Sequence, residues 1–141
     1  MTRFIEDDLR ATFISIADVL IPAYENLPVA SEVDVGGPIL DRILSLRDDI
    51  RDSFFRGLRA AAGKSPDVAA RELNEQDPTA LATIGLVAAA AYYMDPRVKQ
   101  LIGYPGQARY EIDPAAQPDY LLDNILQPVI DRGPIYRPTP K

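Results

Sequence analysis

The chain has 141 residues, 21 Asp and Glu against 15 Lys and Arg for a net charge of −6, and neither His nor Cys. That length fits one domain with a core large enough to need no metal or disulfide. The missing cysteine rules out disulfides and thiolate chemistry. The missing histidine removes the commonest general base and transition-metal ligand, which sets aside zinc, haem and Ser-His-Asp catalysis. Basic residues scattered among acidic ones leave no continuous positive surface for phosphates or an anionic membrane, so nucleic-acid and membrane-surface binding are set aside as well.

Residues 6–21 carry Leu9, Phe13, Ile16 and Leu20 at helical spacing, with Glu6, Asp7 and Asp8 in the first turn, where the helix dipole favours negative charge. An amphipathic helix is predicted there, ending near Ile21 because the residue before Pro22 is pushed out of the helical region. Asp18 lies off the apolar stripe, where it either faces solvent or bonds to the following loop, and solvent is the favoured reading. The acidic start lacks the positive charge and apolar run of a signal peptide, which points to a cytoplasmic chain, or to a periplasmic one through co-export with a partner or loss of a signal.

Residues 22–37 mix turn formers with the anchors Tyr24, Leu27, Val29, Val33 and Val35, and read as a long ordered loop. Pro38 then opens the longest amphipathic pattern of the chain. Ile39, Ile43, Leu46, Ile50, Phe54 and Leu58 recur three or four apart, which predicts one continuous helix stopping at Gly63. Its opposite face holds Asp41, Asp48, Asp52, Arg56 and Arg59, with Asp52 and Arg56 spaced as an i,i+4 pair. Asp48, Asp49 and Asp52 could be taken for a metal cluster, but the interleaved arginines favour a solvated face. Ser65–Pro66 signals a short helix through about Glu75, with Val68, Ala69 and Leu73 on its apolar side.

The stretch DPTALATIGLVAAAAYYMDPRVKQLIGYPGQ, from Asp77 to Gln107, is the most apolar of the chain. Asp77 suits an N-cap and Pro78 a first helical position, so a helix is predicted from there to Met94. Its 16 residues from Thr79 to Met94 carry no charge, and many are Ala or Gly. The run is shorter than the roughly 20 residues that span a bilayer, so it reads as a central, closely packed helix. Asp95–Pro96 repeats the cap-and-proline signal for a short helix through Ile102, followed by Gly103 and a Tyr104–Pro105–Gly106 turn. The corner gathers Tyr92 and Tyr93, with Tyr104 and Tyr110 close behind. Such rings with polar tips suit either the edge of a core or the middle of an interface.

Residues 105–117 read as loop, and Pro118 as the start of a helix carrying Tyr120, Leu121, Leu122, Ile125 and Leu126, which Pro128 kinks or stops and Gly133–Pro134 ends. The tail from 133 to 141, anchored by Ile135 and Tyr136, is predicted to lie extended. No alternating strand pattern occurs. The expected fold is therefore all-α: one domain of four or five main helices with long loops and an extended C-terminal tail.

Two stretches carry a family resemblance. ISIADVLIPAYENLPVASEVDV, from Ile14 to Val35, is similar to a first helix ending in Leu-Ile-Pro and its following loop. AYYMDPRVKQLIGYPGQARYE, from Ala91 to Glu111, has an aromatic pair, an Asp-Pro and a Gly-aromatic-Pro-Gly turn. With the Phe54–Phe55 pair between them, the chain resembles the gluconate 2-dehydrogenase subunit 3 family. The resemblance implies a non-catalytic small subunit that binds and stabilises a large FAD-dependent dehydrogenase of the glucose-methanol-choline kind, which oxidises a sugar or polyol hydroxyl. It places the FAD in the partner and no cofactor or metal in this chain, and it makes a cytochrome c subunit a further partner. The expected partner-binding residues are Tyr92, Tyr93, Asp95, Pro96, Tyr104, Pro105, Gly106, Tyr110, Ile135 and Tyr136. The competing reading is a stand-alone helical module, a homodimer or a binder of a small apolar ligand, with no flavoprotein. A self-sufficient enzyme has only Tyr110 beside Glu111 or Asp113 to offer and ranks last.

Overall fold

Proline opens four of the helices, each at a position where the missing N–H would have had no partner within the helix. The structure, a computed structural model, describes residues 5–109 and 122–136. The chain divides into two units, Met1–Gly106 and Gln107–Lys141. The first holds α1 (Asp7–Leu20), a 3₁₀ turn at Ala30–Val33, α2 (Pro38–Leu46), a second 3₁₀ turn at Asp48–Ile50, α3 (Arg51–Ala61), α4 (Pro66–Gln76), α5 (Pro78–Met94) and α6 (Pro96–Leu101). The described part of the second holds the short α7 (Gln127–Arg132). The protein is all-α, with no strand among the described residues and five helices of nine residues or more.

α5 is the centre of the first unit and packs against α1, α2, α3, α4 and α6. Its inner side places Ala80, Thr83, Ile84, Val87, Ala88, Ala91 and Tyr92 in the core. There they join Phe13 and Ile16 of α1, Leu40 and Leu44 of α2, and Phe54 and Leu58 of α3. The Phe13 and Phe54 rings meet at 5.4 Å between centroids. α3 comes close to α5 because Gly57 faces it: a Cβ there would lie 3.0 Å from both Ala80 Cβ and Ile84 Cδ1.

The segment from 38 to 62 is two helices rather than one. α2 stops at Leu46, and Arg47 leaves the helical region at φ −124°, ψ 69°. The break is held from both sides. Arg51 donates from Nε to the Leu44 carbonyl at 2.5 Å and from Nη2 to that of Ser45 at 3.1 Å, satisfying groups that the end of α2 leaves open. Arg47 forms a two-pronged pair with Asp49, 2.8 Å in each arm. The turn shifts the register of the apolar face, so Leu46 is 70 % exposed where the continuous pattern placed it inward, while Leu40 and Leu44 are buried.

Three charged residues also depart from the favoured reading. Asp41, assigned to the solvated face, lies beneath Arg10 of α1, whose Nη2 donates to both carboxylate oxygens at 3.0 Å. The two side chains are only 13 % and 15 % exposed. The same guanidinium donates to the carbonyl of Gly36. That loop passes so close to α1 that a Cβ on Gly36 would lie 2.5 Å from Ile14 Cδ1. Asp18 takes the less favoured of its two expected roles, bonding to the loop: it accepts from the Ser31 N–H at 2.7 Å and so ties α1 to the first 3₁₀ turn. Arg56 pairs with Asp77 instead of Asp52, at 2.7 Å from Nε to Oδ2. On α4, Ser65 occupies the N-cap position without a side-chain hydrogen bond, and Val68 is exposed.

Asp77 behaves as its position predicts, accepting from the Ala80 N–H at 3.1 Å. The Arg56 guanidinium, and after it that backbone N–H, hold its carboxyl below the usual carboxylate range. A group whose folded pKa is depressed adds stability above its unfolded value, near 4, and loses it as pH falls through the folded one. Urea midpoints measured from pH 7 down to pH 3 should therefore fall more steeply in the parent chain than in Asp77→Asn. Parallel curves would show that the carboxylate adds nothing.

In the second unit, Gln127–Arg132 forms a short helix with Pro128 in its first turn, so Pro128 starts a helix where a kink or stop was expected. Gly133 ends it at φ 68°, as predicted. Residues 118–121 of the predicted Pro118 helix and 137–141 of the tail lie outside the described residues.

Candidate functional site

The corner between α5 and α6 is built from its caps outward. Asp95 has extended backbone at φ −64°, ψ 131°, which lets its side chain turn back over the first turn of α6. Its Oδ1 accepts from the N–H of Arg97 at 2.8 Å and of Val98 at 3.3 Å. Two of the donors that the start of α6 leaves open are thereby satisfied. At the far end, Gly103 takes φ 68°, its N–H donates to the Gln100 carbonyl at 3.1 Å, and the Tyr104 N–H reaches back to Lys99 at 2.8 Å. This paired closure fixes where the chain leaves α6 and hence where Tyr104 stands. Val98, fully buried, anchors α6 to the core. Asp95→Ala should lower stability by about 1 kcal/mol in urea unfolding, the usual loss on removing a helix cap; an unchanged midpoint would show that the corner stands without it.

The two adjacent tyrosines point in different directions. Tyr92 is 2 % exposed, and its hydroxyl donates to the Pro28 carbonyl at 2.7 Å across 64 residues of chain. Burial, and to a smaller degree the neighbouring Tyr93, push its phenol up, so it stays a neutral donor. It belongs to the core and leaves the expected set of partner-binding residues. Tyr93 stands edge-on to it, with centroids 5.4 Å apart at 90°, and is 54 % exposed. Tyr104 is equally exposed, and Pro96 and Pro105 lie at the surface with Gly106 half-buried. Of the expected set, Tyr93, Asp95 and Pro96 stand where α5 meets α6, and Tyr104, Pro105 and Gly106 follow the other end of α6 in the same unit. Ile135 and Tyr136, both well exposed, belong to the second unit, and Tyr110 lies outside the described residues.

One feature near this corner escaped the sequence reading. α5 is apolar on every side, which suggested complete burial, yet Ala82, Leu86 and Tyr93 are exposed along its outer face. Leu20 of α1 sits beside Gly85 of that helix, within 3.8 Å of where a Cβ would be, and is itself partly exposed. Leu101 and Ile102 at the end of α6 are exposed as well. The uncharged run from Thr79 to Met94 was the available signal. It showed that no side of α5 is designed for water but not which side meets the core.

The arrangement offers docking chemistry: aromatic rings with hydroxyl tips on a capped backbone, Tyr93 among them on the uncharged outer face of α5, with Asp95, Arg97 and Lys99 supplying charge along α6. Among the described residues no group of three or more Asp and Glu is placed to hold a metal ion, and Asp49 of the acidic triplet is taken up by Arg47. No helix among the described residues is long and apolar enough to cross a membrane. Comparison with protein-family models, with curated proteins and with solved structures returned no match.

Proposed function

We propose that this chain is a non-catalytic helical subunit that docks on a larger FAD-containing dehydrogenase of the glucose-methanol-choline kind and stabilises it. The observation that carries the reading is the exposure of Tyr93 and Tyr104 on a corner whose backbone is capped at both ends. Aromatic anchors held in this way lose little conformational freedom on binding, which is where interface energy concentrates. The resemblance of residues 14–35 and 91–111 to the subunit 3 family supplies the kind of partner. In this reading FAD, substrate and the sugar or polyol oxidation all belong to the partner, a cytochrome c subunit takes the electrons onward, and this chain contributes surface.

Expression from its native gene neighbourhood, followed by purification of this chain, tests the proposal. The expected result is a larger yellow protein that elutes together with this chain on size exclusion and is less stable without it. A colourless monomer or homodimer eluting apart from the flavoprotein would overturn the reading and favour a stand-alone helical module.

A further inference from the structure

We draw no further inference here: the strongest candidate, the uncharged outer face of α5 along Ala82, Leu86 and Tyr93 with Leu20 at its side, is an unpartnered apolar surface, and nothing in the structure shows what covers it.

Discussion

Replacing Arg10 with methionine should lower the unfolding free energy by about 2–3 kcal/mol, read as a shift of the urea midpoint at unchanged slope, because it takes the guanidinium from a carboxylate that stays mostly buried. Arg10 holds three things at once: α1, the Gly36 carbonyl of the approaching loop, and Asp41 in the first turn of α2. The pair is not a fully satisfied one, since Arg10 Nε is buried with no acceptor among the described residues. Removing Arg10 takes from the mostly buried Asp41 carboxylate the guanidinium that faces both its oxygens, whereas removing both side chains in favour of apolar residues of similar size can come close to neutral. The double variant Arg10→Met, Asp41→Leu should therefore recover part of the loss, leaving the Gly36 carbonyl as its residual deficit. A double-mutant cycle in which the two single losses simply add would show that the two side chains act independently. Arg47–Asp49 provides the contrast, as a pair between exposed side chains two residues apart, which at the surface contributes little.

The clasp at Arg10 also shows where sequence reading stops. Helix starts at Pro38, Pro66, Pro78 and Pro96 are legible because proline and its preceding residue restrict the backbone locally, and every one of them holds. The break at Arg47 is not legible. Ile43, Leu46, Ile50 and Phe54 continue a helical spacing through it, and the groups that stabilise it, Arg51 on the Leu44 and Ser45 carbonyls, look like any surface arginine. An ion pair across 31 residues, as between Arg10 and Asp41, leaves no periodic trace at all. Within the candidate site the caps and turn were readable from Asp95, Pro96 and Gly103. The division of labour between Tyr92 and Tyr93 was not: neighbours on a helix point about 100° apart, so only one can face the core. In an amphipathic helix the charged face would say which, but α5 has none between Thr79 and Met94.

That division leads to opposite expectations for two adjacent residues. Tyr92→Ala should destabilise the isolated chain by about 3–5 kcal/mol, the range for emptying a buried aromatic site, and it also strands the Pro28 carbonyl. Tyr92→Phe keeps the ring and isolates the hydrogen bond, so a loss of about 1–2 kcal/mol is expected. Tyr104→Ala should change stability by no more than about 0.5 kcal/mol, as for an exposed side chain. Tyr93→Ala should cost about 1 kcal/mol at most, the worth of its edge contact with Tyr92. Under the proposed function, binding to the flavoprotein partner should rank the other way round. Tyr93→Ala and Tyr104→Ala are expected to weaken association by about 2 kcal/mol or more while the chain stays folded. Tyr92→Phe should bind as the parent does. Urea unfolding of the free chain and titration against the flavoprotein read the two quantities separately. If the folded Tyr93→Ala and Tyr104→Ala chains bind the flavoprotein as tightly as the parent, the aromatic corner is not the docking surface, whatever those rings add to stability.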